Sequence, residues 1–307
     1  MPGASSPLVS VVLPTYNRPS RLPAAIQSVL SQSYASLELL IVDDASESPV
    51  DEVVERTARG DRRVRLIRLD RNVGAAGARN AALGQVRGEL VAFVDDDDRW
   101  EPHKLARQVD YMEEHPRTGL VSCDHFIERD RSKRPPVRFR GPRSFSAEQM
   151  IWVNFPGSFS QVLVRPGLLG SEFRIDESFE CAEDWDLWLR CARLAGAGTI
   201  PEPLVHYVSH SDPRLTHPTV KRGGLERFDR KHSSDMSPAC RAFHLAHQRM
   251  EEGEGWEKRM HVLRALATAS PSVLGLLAVE QAGRQMGRAV GDPGLAYRLL
   301  ARAIPTT

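Results

Sequence analysis

The sequence predicts an α/β fold with an open, mostly parallel sheet flanked by helices, followed by a helical C-terminal region. In the first third of the chain, short apolar runs alternate with amphipathic segments, as they do in strand–helix–strand units. Polar clusters stand at the ends of three of these runs, where the ligands of such sheets bind. From about Pro218 onward the pattern is helical only.

Apolar runs predict the strands, because nearly continuous runs of this length are typical of strands buried on both faces. They cover residues 8–13, 37–42, 64–69, 90–94, 121–127, 159–164 and 200–208. Helical patterns cover residues 22–30, 50–59, 74–86 and 183–195, and another begins at Pro102. In the helix over 183–195 we expect Leu187, Trp188, Cys191 and Leu194 to face the core. Residues 129–143, rich in Arg and Pro, predict a loop.

The composition is that of a soluble globular protein and excludes a disordered or low-complexity chain, since 41% of the 307 residues are hydrophobic and 26% are charged. A net charge of +1 gives no overall basic field, so we expect no nucleic-acid partner. The 4 cysteines show no C-x-x-C spacing and fit a reducing cytoplasm. No apolar stretch approaches the roughly 20 residues that cross a bilayer, so we expect no transmembrane segment.

Four consecutive aspartates, at residues 95–98, follow a predicted buried strand directly. A pair of carboxylates about 4 Å apart costs on the order of 4 kcal/mol at an effective dielectric near 20. A hard divalent cation would remove that repulsion and would complete its shell with phosphate oxygens. The spacing of Asp95 and Asp97 therefore favours metal binding over the alternative, a charged turn.

Two more clusters follow neighbouring strands. Asp43 and Asp44 offer acceptors for a nucleobase N–H or ribose hydroxyls, and the alternative is a helix cap. Arg79, close to a glycine turn, could bind an anionic ligand, and the alternative is a surface arginine. Neither G-x-G-x-x-G nor G-x-x-x-x-G-K follows the first strand, so the usual dinucleotide and P-loop sites are absent.

Glu183 and Asp184 begin a predicted helix. A carboxylate there could act as a general base, although the helix dipole alone also favours acidic residues at this end. Trp185 either shapes a sugar pocket or fills the core, and for Trp188 we expect the core.

Taken in order, these motifs resemble the family-two glycosyltransferases over roughly residues 8–210. The matching segments are S-V-V-L-P-T-Y-N from Ser10, Q-S-Y from Gln32, V-D-D-A-S from Val42, N-V-G-A-A-G-A-R-N from Asn72, D-D-D-D-R-W from Asp95 and E-D-W from Glu183. The resemblance implies a GT-A fold, a nucleotide-sugar donor, Mg²⁺ or Mn²⁺, and inversion at the anomeric carbon. The chain lacks the Q-x-x-R-W motif of processive synthases, which indicates addition of a single sugar.

The resemblance also implies roles for individual residues. The nucleotide-sugar donor would lie against Pro14, Thr15, Tyr16, Asn17, Asp43, Asp44, Arg79, Asp95 and Asp96. The metal would bind Asp97 and Asp95, with Asp97 as the direct ligand, and His210 is a further candidate whose alternative is an ordinary loop histidine. Asp184 would be the catalytic base and Glu183 its supporting partner. Asp96 replaces a small residue and Ala45 a common glycine, which leaves open which carboxylates touch the metal.

The predicted organisation has a nucleotide-sugar-binding half over residues 1–115, an acceptor-binding half over 116–217 and helices over 218–307. We expect a UDP- or dTDP-type donor and a hydroxyl-bearing acceptor. Packing on the catalytic domain is expected for the C-terminal helices, with homodimerisation and peripheral membrane contact as alternatives. The basic residues of 129–143 predict a solvated loop or contact with an anionic acceptor, including a lipid phosphate. The other functions that remain open are a sugar nucleotidyltransferase and a non-catalytic nucleotide-sugar or glycan-binding protein.

Overall fold

The computed structural model describes residues 6–129, 135–209, 218–251 and 295–304. The strands of these ranges are β1 (Val9–Thr15), β2 (Leu37–Asp43), β3 (Val64–Arg68), β4 (Leu90–Phe93), β5 (Arg99–Trp100), β6 (Leu120–Arg129), β7 (Val137–Phe139), β8 (Leu163–Val164) and β9 (Ala197–Ser209). The helices are α1 (Leu22–Leu30), α2 (Asp51–Ala58), α3 (Gly74–Leu83), α4 (Lys104–Glu114), α5 (Ala147–Met150), α6 (Glu183–Ala195), α7 (Pro218–Lys231), α8 (Pro238–Glu251) and α9 (Leu295–Ala303).

One sheet contains all the described strands, in the order β3-β2-β1-β4-β8-β6-β9-β5, with β7 paired to β6. The first four are parallel to one another, and so are β6 and β9. The short strands β8, β5 and β7 pair antiparallel to their neighbours. The predicted α/β fold with an open, mostly parallel sheet is confirmed.

Apolar side chains cover both faces of the sheet. On β1, Val11 and Leu13 pack in the cluster that includes Ile26 of α1, whereas Val12 packs in the cluster that includes Trp188 of α6. Successive residues of a strand point to opposite faces, so a strand covered on both sides is apolar throughout. This explains why continuous apolar runs predicted these strands.

The segment 159–164 is only partly a strand, in contrast to the prediction. Phe159–Gln161 form a 3₁₀ turn, and only Leu163–Val164 pair with neighbouring strands. Ser158 and Gln161 cap the turn reciprocally, and the turn buries Phe159 against Phe93, at 5.0 Å between ring centroids. Aromatic packing and the cap therefore override the strand pattern.

Two further predictions are corrected. Within 129–143, predicted as a loop, Val137–Phe139 form β7, and Phe139 stacks on His125 of β6 at 4.5 Å between ring centroids. In α6 the expected inward residues are buried except Leu194, which lies in the last turn and is 53% exposed. The helix from Pro102 begins at Lys104, where Gln32 accepts the Leu105 N–H.

The described residues contain no helix that is long and apolar enough to cross a membrane.

Helix α4 carries a fully buried cation. The Lys104 ammonium donates to Gln108 Oε1 at 2.6 Å and lies 3.9 Å from the centroid of the Trp100 ring. Burial lowers the pKa of Lys104 to about 8. The unfolded chain therefore binds more protons than the folded protein from about pH 8 up to the ordinary lysine pKa.

The variant Lys104→Met removes this titration and keeps an unbranched side chain on the Trp100 ring. Between about pH 7 and about pH 10, the free energy of unfolding of the parent should rise relative to that of the variant by on the order of 2 kcal/mol. Urea unfolding of both proteins across this range measures the difference, and a difference that does not change with pH would contradict it.

Candidate active site

The site lies at the carboxyl ends of the parallel strands. Thr15 at the end of β1 stands opposite Asp43 at the end of β2, and on the other side of β1 a single residue, Val94, separates the end of β4 from Asp95. The parallel register thus gathers the polar clusters at one edge of the sheet.

Three of the four consecutive aspartates form a carboxylate cluster. One oxygen from each of Asp95, Asp97 and Asp98 lies within 4.8 Å of the other two. Asp98 is buried; its Oδ1 accepts the Val208 N–H at 3.2 Å, while Oδ2 has no hydrogen-bond partner among the described residues. Burial, together with repulsion from Asp95 and Asp97, raises the pKa of Asp98 well above its usual range. An all-oxygen donor set with an unpartnered buried oxygen fits a hard divalent cation.

Asp96 faces away from this cluster. It accepts from Thr15 Oγ1 at 2.7 Å and from Arg18 at 3.1 Å, and burial raises its pKa to about 6. Arg18 also reaches Asp97 at 3.1 Å. Asp96 therefore ties the run to the segment after β1, and Arg18, which no spacing in the sequence singled out, belongs to the site.

The two aspartates after β2 hold the backbone around them. Asp43 is fully buried, accepts the Ser46 N–H at 3.0 Å and pairs with Arg68 at 2.9 Å. Asp44 accepts the N–H groups of Val73 at 2.8 Å and Gly74 at 2.9 Å. Both carboxylates thus make the cap-like backbone contacts that were the alternative to a ligand role.

The segment after β1 is shaped by its backbone. Asn17 has a φ of 55°, its N–H donates to Ser46 Oγ at 2.9 Å, and its Oδ1 accepts the Glu47 N–H at 2.8 Å. Pro14 is buried within β1, whereas Tyr16 is 43% exposed. Tyr16 therefore offers an open aromatic face beside the strand ends.

Arg79 joins the two acidic motifs of the site. Its buried guanidinium donates to Asp95 Oδ1 at 2.6 Å and to Glu183 Oε1 at 3.4 Å, and its Cζ atom lies 3.9 Å from the centroid of the Phe159 ring. The alternative of a surface arginine is wrong. Arg79 and Glu183 are 104 positions apart in the chain, and their contact holds the start of α6 against the end of β4.

Glu183 and Asp184 form the first turn of α6, after Ala182 in the left-handed region with a φ of 68°. Asp184 Oδ1 accepts the Trp185 N–H at 2.6 Å. Burial and the adjacent Glu183 carboxylate raise the pKa of Asp184 to about 7, and burial also raises that of Glu183 despite Arg79. A carboxylate with such a pKa is suited to accept a proton near neutrality.

The tryptophans of this motif are part of the core. The Trp185 ring stacks on Phe228 at 4.2 Å between centroids, and Trp188 lies against Phe93 and is fully buried. The sugar-pocket alternative for Trp185 is therefore not favoured. His210 lies outside the described residues.

The sequence from residue 10 to residue 164 matches the model of glycosyl transferase family 2. The chain belongs to this family. Among its relatives, the succinoglycan biosynthesis protein ExoO of Rhizobium meliloti is 31% identical over 77% of this glycosyltransferase and 68% of its own length.

Solved structures show the same fold. TarS of S. aureus, in complex with UDP-GlcNAc, superposes with a TM-score of 0.63 at 18% identity, over 96% of this glycosyltransferase and 91% of TarS. The mannosyltransferase PcManGT of Pyrobaculum calidifontis, in complex with GDP-Man and Mn²⁺, gives a TM-score of 0.60 at 22% identity, over 97% and 87% of the two chains. The fold of this glycosyltransferase is of the GT-A type.

The variant Arg79→Lys keeps the positive charge but loses the fork that reaches two carboxylates. We expect the free energy of unfolding to fall by about 1–3 kcal/mol, because one buried carboxylate loses its partner. Urea unfolding measures this free energy. The control is Arg71→Lys, which changes an exposed arginine. Equal stabilities of the two variants would show that the bridge is not structural.

Proposed function

We propose that the protein is a metal-dependent, inverting glycosyltransferase that moves one sugar from a nucleotide-diphosphate sugar to an acceptor hydroxyl. The observation that carries the proposal is the arrangement around Arg79, which places a carboxylate cluster suited to a cation beside a helix start that presents a carboxylate of raised pKa. These are the two groups that transfer requires, one for the leaving diphosphate and one for the attacking hydroxyl.

The donor is proposed to lie along the strand ends, with residues 1–115 as its binding half. Pro14, Thr15, Tyr16, Asn17, Asp43 and Asp44 would surround the base and ribose, with Arg79, Asp95 and Asp96 on the same side of the cleft. The exposed Tyr16 supplies a face on which a base can stack. TarS and PcManGT were solved with UDP-GlcNAc and GDP-Man, respectively, which supports a nucleotide-sugar donor. We propose a UDP- or dTDP-type nucleotide.

The proposed metal, Mg²⁺ or Mn²⁺, would be held by Asp97, Asp95 and Asp98. When bound, it would supply the positive charge that the departing diphosphate needs. Asp97 is the proposed direct ligand. Asp98 joins the set although the spacing of Asp95 and Asp97 does not include it, because its Oδ2 has no hydrogen-bond partner among the described residues. Asp96 is left out because Thr15 and Arg18 hold its carboxylate.

Asp184 is proposed as the general base. Its carboxylate would accept the proton of the acceptor hydroxyl while the hydroxyl oxygen attacks the anomeric carbon from the face opposite the diphosphate. A single displacement of this kind inverts the configuration and needs no covalent intermediate. Glu183 is bound by Arg79 and is proposed as the supporting member, which fixes the start of α6.

The acceptor is proposed to enter over residues 116–217, in the half that contributes α6 and the strands after α4. ExoO is named for succinoglycan biosynthesis, which supports a glycan or glycan precursor as the acceptor. We further propose that the enzyme acts in the cytoplasm, and that the helices over 218–307 pack on the catalytic domain. The end of α7 supports this packing, because Lys231 Nζ lies 2.8 Å from Asp186 of α6, and His232, the residue after the helix, reaches the same carboxylate at 2.9 Å. Association of two copies through these helices is the alternative.

Binding of UDP should depend on the metal through Asp97. At 100 times its dissociation constant, UDP with Mn²⁺ should stabilise the parent by about 2.7 kcal/mol in a thermal-shift experiment. In Asp97→Asn the part of this stabilisation that depends on Mn²⁺ should vanish. Asp110 is an exposed acid on α4, and the control variant Asp110→Asn should be stabilised as the parent is. An undiminished metal-dependent shift in Asp97→Asn would refute the assignment.

Asp184→Asn should slow transfer strongly and leave donor binding intact. General-base catalysis contributes about 10²–10⁴-fold, so turnover should fall by that order while UDP affinity stays within about threefold of the parent. Glu183→Gln should lower turnover by a smaller factor than Asp184→Asn does. Turnover is measured as UDP release from a panel of UDP-sugars in the presence of glycan acceptors.

The pH dependence of the parent provides a second test of Asp184. The base works only when it is deprotonated, so the rate should rise with pH up to about 7 and then level off. A rate that is flat across this range, or near-parental turnover in Asp184→Asn, would overturn the assignment. Formation of UTP and a sugar 1-phosphate from a UDP-sugar and added pyrophosphate, in place of UDP release, would favour a nucleotidyltransferase, and binding without turnover would favour a non-catalytic binding protein.

A further inference from the structure

A polar cavity of about 580 Å³ lies between the strands of the acceptor-binding half and α9. Arginine side chains from β7, from the segment that follows it and from α9 line the cavity, together with one carboxylate: Arg138, Arg140, Arg143, Arg298, Arg302 and Asp124. The whole chain has a net charge of only +1, so this concentration of cations is local to the cavity.

The one carboxylate that lines the cavity, Asp124, already accepts hydrogen bonds from neighbouring groups. Asp124 Oδ1 accepts the Gly141 N–H at 2.8 Å, and its Oδ2 lies 3.3 Å from Arg138 Nη2. Asp124 thus holds the backbone and Arg138, and it also attracts Arg298. Among the described residues that line the cavity, it is the single carboxylate beside five arginines.

Arg138 is positioned so that one donor of its guanidinium group makes no hydrogen bond to the described residues. Its Nη2 donates to the Pro201 carbonyl at 2.7 Å, while its Nε is buried and has no hydrogen-bond partner among the described residues. A buried donor without a partner is costly, and an anion in the cavity would relieve that cost.

Helix α9 closes the cavity from the C-terminal side. Arg298 donates to the Arg140 carbonyl at 2.6 Å, and Ile304 is buried while its carbonyl accepts from Gln149 at 3.4 Å. Arg298 and Arg302 are four residues apart and therefore lie on one face of the helix. The docking of α9 brings its two cations to those of the β7 segment.

We propose that this cavity is a binding site for a phosphate or diphosphate group carried by a larger molecule. Phosphate matches the forked geometry of guanidinium groups, and more than one arginine can bind it bidentately. A phosphate group carries up to two negative charges, so it neutralises several arginines better than a single carboxylate does. The cavity is larger than one phosphate, which leaves room for part of the molecule that carries it.

The site is separate from the proposed position of the donor diphosphate. Val208, which binds Asp98 of the carboxylate cluster, pairs with Glu128 of β6, four residues beyond Asp124. Four strand residues span about 13 Å, so the cavity lies at about that distance along β6 from the strand position next to the cluster. The phosphate group would therefore belong to a second ligand; that this ligand is the acceptor rests on the proposed function, whereas anion binding itself does not.

Inorganic pyrophosphate, added in the presence of EDTA, tests the site without metal. Under these conditions the carboxylate cluster repels the probe, so calorimetric binding reports on the arginine cavity. We expect the parent to bind pyrophosphate and R298Q/R302Q to bind it at least about tenfold more weakly, as the loss of one charge-assisted hydrogen bond predicts. R56Q/R62Q, with two exposed arginines changed elsewhere, should match the parent.

A second variant and a second probe complete the test. R140Q/R143Q alters the segment after β7 without changing α9 and should also lose affinity, so an unfolded α9 variant would not decide the outcome. Flotation with phosphatidylcholine vesicles, with and without phosphatidic acid, distinguishes a lipid headgroup from a soluble phosphate as the source.

Loss of binding in both cavity variants, for either probe, supports the site. Equal binding by the parent and both cavity variants, or no binding to either probe, overturns it. Donor binding and UDP release are measured separately, so failure of this proposal leaves the proposed transfer reaction to its own tests.

Discussion

The guanidinium of Arg79 is the interaction on which the site depends. It is buried between Asp95 at the end of β4 and Glu183 at the start of α6, and it lies against the ring of Phe159. A buried charge with two opposite partners is tolerated, whereas any one of these groups alone would be strongly destabilising. The bridge formed by Arg79 therefore fixes how the part of the sheet proposed to bind the donor meets the helix that carries the proposed base.

The carboxylates around this bridge outnumber the cationic side chains that contact them. Asp98 and Asp184 have pKa values raised by burial and by neighbouring carboxylates, and Asp98 keeps an oxygen without a partner in the described residues. Such an arrangement costs stability in the isolated protein. The cost is offset when a cation binds to the cluster or a proton moves to the base, which are the two events of the proposed reaction. Core packing on both faces of the sheet supplies the stability that this arrangement requires.

The sequence predicted the fold, and it placed the acidic clusters of the candidate site at the strand ends and the start of α6, because both depend on short-range patterns. Buried parallel strands are apolar throughout, their ends are polar, and helix α6 was predicted with its observed bounds, Glu183–Ala195. What the sequence could not supply depends on long-range contacts. The separation of Asp96 from its three neighbours follows from Thr15 and Arg18, and the burial of Arg79 follows from Glu183. The arginine cavity likewise forms only when α9 docks beside β7, and the turn at Phe159 follows from aromatic partners elsewhere in the chain.

The position of the metal in a nucleotide complex tests the central claim most directly. A crystal of the protein grown with UDP and Mn²⁺, measured at the manganese absorption edge, locates the ion by its anomalous signal. We predict a single strong peak within coordination distance of Asp97 and of the diphosphate, with Asp184 on the opposite side of the sugar position. A peak away from the carboxylate cluster, or UDP bound in the arginine cavity instead, would contradict the account.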